Sequence, residues 1–231
     1  AEIERIIDDF GKAAKKAIDT GFDGVEIHGA NTYLIQQFFS PHSNRRTDRW
    51  GGDINKRMLF PMKVIDKVKR VAKEYGKKDF IVGYRFSPEE IETPGIRIED
   101  TLVLVENLIG KDLDYIHISL QDVHAKPSMG SGYEKSMVEM IIEKVNGRVP
   151  VIAVGGIHTP DEALEVTDSG ADMAALGREL IIEPDWVKKI EDDHEDEIAV
   201  RLNRSFKEKL AIPDDLFKQI ENTDGWFPFE E

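Results

Sequence analysis

Three side chains that can donate hydrogen bonds follow a short run of alternating apolar residues near the start of the chain. The run Asp23-Gly24-Val25-Glu26-Ile27 predicts a strand, and His28, Asn31 and Tyr33 come directly after it. His28 and Asn31 are three residues apart, so an imidazole N–H and an amide N–H can bind one small acceptor, and Tyr33 can bring a phenolic proton to the same ligand. These residue types indicate a pocket with two donors and an acid. The alternative is that His28 only ends the strand and Tyr33 packs in the core.

A second run, Ile81-Val82-Gly83-Tyr84-Arg85-Phe86-Ser87, has the apolar character of a buried strand and carries one cation near its end. A cation buried in an apolar strand is costly unless an anionic group faces it. That group is either a carboxylate of the protein, in a structural salt bridge, or part of a bound ligand. Arg85 is therefore a candidate binding residue.

Two later strand-like runs are followed by glycines, in Val154-Gly155-Gly156-Ile157 and Leu176-Gly177-Arg178-Glu179. Glycines allow backbone N–H groups to approach phosphate oxygens closely, and Arg178 can add a two-pronged charged contact. In parallel barrels the loops after the last two strands commonly form the phosphate site. The pattern predicts such a site here, and the alternative is that the glycines only permit tight turns.

Five runs rich in Val, Ile or aromatic residues predict strands, and five longer runs with apolar residues at helical spacing predict helices. The predicted strands are 24–28, 80–87, 114–120, 150–157 and 172–177. The predicted helices are 3–20, 55–75, 98–109, 133–145 and 160–169. In the last helix, Thr159 is the expected N-cap and Pro160 the first helical residue. Helices alternating with apolar strands predict an α/β protein with a parallel sheet covered by helices.

The length and the strand count disagree. A complete (β/α)₈ barrel takes about 250 residues, so the 231 residues of this chain have room for one, yet only five strands are predicted. A long connection over 29–54 and an acidic extension over 185–231 contain the remaining residues.

The segment 23–33 and the two runs that follow it, 34–41 and 44–52, resemble the Old Yellow Enzyme family of FMN-dependent ene-reductases and NAD(P)H:flavin oxidoreductases. The resemblance is specific because about thirty positions fall in order. It implies a (β/α)₈ TIM-barrel type of fold that is incomplete here, with about five C-terminal βα units. We therefore expect a single domain over 1–231, with βα units over 1–184 and a helical C-terminal extension over 185–231.

The resemblance also implies roles for the candidate residues. His28 and Asn31 would bind the carbonyl or nitro oxygen of an α,β-unsaturated substrate, and Tyr33 would protonate the other carbon of the double bond. Thr32 stands where this family commonly has glycine.

By the same resemblance, Arg85 would lie against the pyrimidine edge of the flavin, where its charge stabilises the reduced ring. The glycines of the phosphate site and Arg178 would bind FMN. The implied activity is reduction of FMN by NADH or NADPH, followed by reduction of the substrate C=C bond.

The composition limits the partners. A formal net charge of −14 argues against a nucleic-acid partner. The arginines that cluster between 45 and 57 alternate with aspartates, which indicates internal ion pairing. The chain has no cysteine, so it cannot form disulfides, thiolate metal sites or a cysteine-ligated iron–sulfur cluster, and its histidine spacing predicts no metal site. Without an apolar run long enough to cross a membrane, and without a signal-peptide pattern at its N-terminus, the sequence predicts a cytoplasmic protein with a small-molecule substrate and no membrane partner.

Two other functions remain open on the sequence. One is a phosphate-binding TIM-barrel lyase or isomerase that uses the glycine loops without flavin. The other is a non-catalytic half-barrel that self-associates, because five strands of an opened barrel leave two unpaired edges. For the same reason we expect a homo-oligomer.

Overall fold

A computed structural model describes residues 1–128 and 132–230 and confirms an α/β architecture with five parallel strands. The strands pair in chain order, β1-β2-β3-β4-β5. They are β1 (Gly24–Gly29), β2 (Ile81–Phe86), β3 (Tyr115–Ser119), β4 (Val151–Val154) and β5 (Met173–Ala175). The α-helices are α1 (Glu2–Asp19), α2 (Leu34–Phe39), α3 (Ile54–Tyr75), α4 (Ile98–Ile109), α5 (Met137–Val145), α6 (Pro160–Asp168), α7 (Glu179–Ile182), α8 (Trp186–Glu191) and α9 (Asp214–Glu221). Short 3₁₀ turns cover Glu195–Glu197 and Arg204–Phe206.

Side-chain caps determine where two of the helices begin. The Thr159 hydroxyl accepts from the backbone N–H of Glu162 at 3.2 Å, and Pro160 is the first residue of α6, as predicted. The predicted start of α5 at 133 is wrong. Ser136 forms a reciprocal capping box with Glu139, with bonds of 3.1 and 2.7 Å, and this box begins the helix at Met137.

The strand register places two different chemistries on the two faces of the sheet. Ile27, Tyr84 and Ile116 are register partners on neighbouring strands, and all three are buried in the main hydrophobic cluster. Helices α1, α3, α4 and α5 contribute buried side chains to the same cluster. Because side chains alternate along a strand, the next register row faces the other way.

That opposite row carries polar groups. His28 pairs in register with Arg85, and Arg85 pairs with His117. Two residues before His28, on the same face of the sheet, Oε2 of Glu26 lies 2.8 Å from Nδ1 of His117. One face of the sheet is therefore apolar and covered by helices. The polar side chains at the strand ends share the opposite face.

The long connection between β1 and α3 is held by arginines. Arg57 donates to the carbonyl oxygens of Phe39 at 2.8 Å and Gly52 at 2.7 Å. Arg46 pairs with Asp48, which confirms the predicted internal ion pairing within this arginine cluster. The connection also contains helix α2, which the sequence analysis did not predict.

The C-terminal extension packs as a second, smaller hydrophobic cluster. Leu202 is fully buried there, and its backbone bonds to Pro228 at 2.8 Å and to Glu230 at 3.2 Å. These bonds return the chain toward the sheet and place residues 223–226 against the strand ends. Within 1–128 and 132–230, no helix combines the length and the apolar character that a membrane crossing requires.

We predict that Ile116→Ala lowers the free energy of unfolding by about 2–5 kcal/mol, because it leaves a cavity in the buried face of the central strand. The control is Val103→Ala on α4, where Val103 is 40% exposed and the loss should stay below about 0.5 kcal/mol. Urea unfolding of both variants measures the difference. Equal losses would show that the sheet face is not the core.

Candidate functional site

A cavity of about 820 Å³ opens at the carboxyl ends of the strands. Its walls come from the loops after all five strands and from the C-terminal extension. A cavity of this size fits a cofactor-sized ligand. The sequence-predicted residues that line it are Asn31, Arg85, Gly155, Gly156, Gly177 and Arg178.

A chain of hydrogen bonds joins three strand ends inside this cavity. Arg85 Nη2 donates to the Ser119 hydroxyl at 2.9 Å, and that hydroxyl donates to Asn31 Oδ1 at 2.9 Å. The backbone N–H of Asn31 donates to the Ser87 hydroxyl at 3.0 Å. The amide oxygen of Asn31 is thus turned toward Ser119, and its amide N–H groups remain available to a ligand.

The backbone that presents Asn31 is left-handed. Asn31 has a φ of 56° and Thr32 a φ of 62°, in the region that favours glycine and asparagine. Two side chains of α2 hold this turn: Gln36 accepts from the Thr32 N–H at 3.0 Å, and Gln37 donates to the Thr32 carbonyl at 2.7 Å. A threonine therefore takes the conformation that the family commonly gives to glycine.

His28 and Tyr33 lie together beside the cavity and do not line it. Their ring centroids are 5.1 Å apart. Tyr33 is 62% exposed at the start of α2, so the alternative in which it packs in the core is wrong. Burial, helped by the charge of Arg85, lowers the pKa of His28. The neutral imidazole that this favours keeps one N–H to donate.

Arg85 is a partly buried cation without a carboxylate partner. In the described ranges it forms no salt bridge, and its Nε is buried without a hydrogen-bond acceptor. The salt-bridge alternative for Arg85 therefore has no support in the structure. A guanidinium has five N–H donors, so most of them remain for a ligand that carries several acceptors at one edge. The pyrimidine edge of a flavin is such a group.

The glycine loop after β4 approaches the neighbouring backbone closely. A Cβ at Gly155 would lie 2.9 Å from the N of Asp122 and from the O of Leu120. Gly155 and Gly156 have φ values of 150° and 67°, which end the strand at Val154, earlier than the predicted 157. Only glycine fits at position 155, as the tight-turn alternative predicts, and the phosphate role of this loop stays a prediction.

The loop after the neighbouring strand β5 is more open. A Cβ at Gly177 would meet nothing within 4 Å. Arg178 donates from Nη1 to the carbonyl oxygen of Trp226 at 2.8 Å, so the C-terminal extension orients this side chain. The other guanidinium nitrogens of Arg178 make no hydrogen bond among the described residues.

Several lining residues escaped the sequence analysis. Ser119 and His158 lie at or just after strands, so the strand-end rule that found Asn31 applies to them as well. Glu179 is a charged residue at the start of a short apolar helix, and no residue spacing in the sequence predicts that it lines a cavity. Trp226 comes from the extension, and nothing in the local sequence indicates that it lines a cavity.

Comparisons with known proteins find similar sequences and solved structures. The profile of the "NADH:flavin oxidoreductase / NADH oxidase family" matches residues 1–197. The chain is 47% identical to the "probable NADH-dependent flavin oxidoreductase YqiG" of Bacillus subtilis (strain 168), covering all of this chain and 62% of that protein. It is 46% identical to the "NADH:acrylate oxidoreductase" of Vibrio harveyi over 94% of this chain and 22% of that protein.

Among solved structures, morphinone reductase in complex with tetrahydroNAD is similar, with a TM-score of 0.65 and 30% identity. That likeness covers 84% of this chain and 50% of the other. The chain thus spans less than two thirds of the length of these relatives.

We predict that Gly155→Ala destabilises the protein by about 1–3 kcal/mol, because the new Cβ meets fixed backbone atoms. Gly177→Ala is the matched control, since its Cβ enters open space. Thermal unfolding of both variants measures the effect. A Gly155→Ala protein as stable as Gly177→Ala would show that the loop is not close-packed.

Proposed function

Because the chain belongs to the NADH:flavin oxidoreductase / NADH oxidase family, we propose that it forms the active-site mouth of an FMN-dependent oxidoreductase. In this proposal, NADH or NADPH reduces FMN, and the enzyme then reduces the C=C bond of an α,β-unsaturated carbonyl or nitro compound. The observation that carries the proposal is the Arg85 guanidinium, which forms no salt bridge with the described residues and lines the same cavity as Asn31 and the glycine loops.

The family match and the likeness to morphinone reductase confirm the resemblance to the Old Yellow Enzyme family and the expected partial TIM barrel. The names of relatives support the substrate class. One relative is an NADH:acrylate oxidoreductase, and another, from Klebsiella pneumoniae (strain 342), is an NADH:fumarate oxidoreductase. Acrylate and fumarate both carry a C=C bond conjugated to a carboxyl group, and both names specify NADH, which favours NADH as the hydride donor.

The residues present fit FMN at both ends. Arg85 has an orphaned buried Nε that a flavin acceptor would satisfy. Gly155 and Gly156 line the cavity without side chains, so a ligand can approach their backbone, and Arg178 lines it from the loop after the neighbouring strand β5. When bound, FMN supplies the hydride that reduces the substrate. Arg85 would hold the ring edge, and the glycine loops with Arg178 would hold the phosphate.

His28 and Asn31 would bind the electron-withdrawing oxygen of the substrate. His28 lies in β1 and Asn31 follows that strand, and the His28 ring lies on the same sheet face as Arg85. A neutral imidazole N–H and an amide N–H aimed at one oxygen stabilise the charge that develops there as the double bond is reduced. Their place beside the Arg85 end of the cavity supports this pairing of roles.

Tyr33 would donate the proton that completes the reduction. Its hydroxyl belongs to an exposed ring that contacts the His28 ring, so a substrate held by His28 would lie within its reach.

The two rival functions make different observable predictions. A flavin-free phosphate-binding lyase or isomerase would bind phosphate esters but give no blue-region absorption band after incubation with FMN. A non-catalytic half-barrel would sediment as a dimer and bind no FMN. FMN titration together with analytical ultracentrifugation of the complete native polypeptide distinguishes these cases from the proposal. Saturable binding of FMN with a yellow colour supports the oxidoreductase.

We predict that Tyr33→Phe slows substrate reduction by about 10²–10⁴-fold, the usual contribution of a general acid, and leaves flavin reduction by NADH nearly unchanged. Stopped-flow absorbance separates the two half-reactions. Tyr75→Phe, at the far end of α3, is the control and should change neither rate. Equal slowing of both half-reactions by Tyr33→Phe would contradict the assigned role.

We predict that Arg85→Met weakens FMN binding about 10- to 100-fold, because charged hydrogen bonds to the ring are lost. It should also make the midpoint potential of bound FMN more negative, since the reduced ring loses its counter-charge. Arg148→Met, which removes a surface pair with Glu106, is the control. Unchanged affinity and potential in Arg85→Met would place the flavin away from Arg85.

A further inference from the structure

We propose that His158 is an additional phosphate-binding group of this site, and that the buried carboxylate of Glu179 holds its imidazole in place. The inference rests on the proposed function, because the phosphate in question is that of FMN. It adds a cation and a carboxylate to a site that the sequence pattern describes by glycines and one arginine.

One contact holds the imidazole of His158, and two further hydrogen bonds hold its backbone. His158 Nδ1 lies 2.8 Å from Glu179 Oε2. The backbone N–H of His158 donates to Glu162 at 2.6 Å, and its carbonyl accepts from the indole N–H of Trp186 at 2.8 Å. His158 and Glu179 both line the cavity that contains the glycine loops.

The two partners differ in their exposure. The Glu179 side chain is fully buried, and its Oε1 has no hydrogen-bond partner among the described residues. The His158 side chain is 27% exposed, and its Nε2 makes no hydrogen bond within the described ranges. The buried carboxylate therefore occupies Nδ1, and Nε2 is the nitrogen left for a ligand.

The tautomer of His158 determines which ring nitrogen can donate to a ligand. An ionised Glu179 favours a proton on Nδ1. A second proton on Nε2 then makes the imidazole a cationic donor, suited to a phosphate oxygen. Burial raises the pKa of the Glu179 carboxyl, although its hydrogen bond with His158 opposes that shift.

The surrounding charges explain why such a donor is needed. Glu162 and Glu183 both add negative charge near Glu179. Glu183 is neutralised by Lys189 at 2.6 Å, and Glu162 accepts backbone N–H bonds. Among the described residues, the carboxylates of Glu89, Glu179 and Asp224 line this cavity, together with the guanidinium groups of Arg85 and Arg178. A phosphate dianion entering this region meets more carboxylates than cations, so a protonated His158 would offset the repulsion.

The test compares FMN with riboflavin, which has the same ring system but no phosphate. His158→Gln in the complete native polypeptide should weaken FMN binding about 10- to 100-fold, the effect of losing one charged hydrogen bond, and leave riboflavin binding unchanged. Quenching of flavin fluorescence measures both dissociation constants. Glu179→Gln should weaken FMN binding less, because the imidazole remains but loses its fixed orientation.

His124→Gln is the matched control, since His124 forms an exposed pair with Glu165 outside this cavity. If Glu179→Gln does not fold, His158→Gln alone decides, and riboflavin binding reports that its site is intact. Equal FMN affinity in wild type and His158→Gln would overturn the inference. So would equal weakening of FMN and riboflavin, which would indicate a purely structural residue. If the wild-type protein binds neither flavin, the proposed function itself fails.

Discussion

The proposed site is built around one cation that has no salt bridge within residues 1–128 and 132–230. In that part of the chain, the Arg85 side chain bonds to the Ser119 hydroxyl alone, and its buried Nε has no acceptor. Burying a polar group in this way costs free energy that the fold must supply from its core. The apolar face of the sheet provides that stabilisation. A ligand with acceptors at one edge would satisfy the guanidinium, so the site is arranged for binding before any ligand arrives.

The register of the strands places other proposed site residues close to Arg85. Because His28 and Arg85 are register partners, the proposed substrate donors and the proposed flavin contact lie on one face of the sheet. The glycine loops follow β4 and β5 at the same carboxyl edge of the sheet, and they line the same cavity as Arg85. The flavin ring and its phosphate would therefore reach different walls of one cavity, and His158 would extend the phosphate wall.

Much of the fold could be predicted from the sequence, because apolar periodicity and glycine stops give strong local signals. All five strands were found in this way, but the early end of β4 was missed because it results from the positive φ of Gly155 and Gly156. Helix α2 was also missed, since a six-residue apolar run does not distinguish a helix from a loop packed on the core. Side-chain caps, not hydrophobic pattern, determined where α5 begins.

Site residues could be predicted where a polar residue or a glycine lies at or directly after the end of a strand. Asn31, Arg85 and the glycines obey that rule, and all line the cavity. Their roles, and those of His28 and Tyr33, stay predictions. Glu179 and Trp226 could not be found, because their places depend on contacts made through tertiary packing. The hydrogen bond from Arg178 to the Trp226 carbonyl joins residues distant in sequence, and only the folded extension creates it.

The most direct measurement is a crystal structure of the complete native polypeptide soaked with FMN. The account predicts the isoalloxazine over the strand ends, with its pyrimidine edge in hydrogen-bond contact with Arg85. It places the phosphate between the Gly155-Gly156 loop and Arg178. A flavin bound elsewhere, or a phosphate bound here with its ring directed away from Arg85, would contradict it.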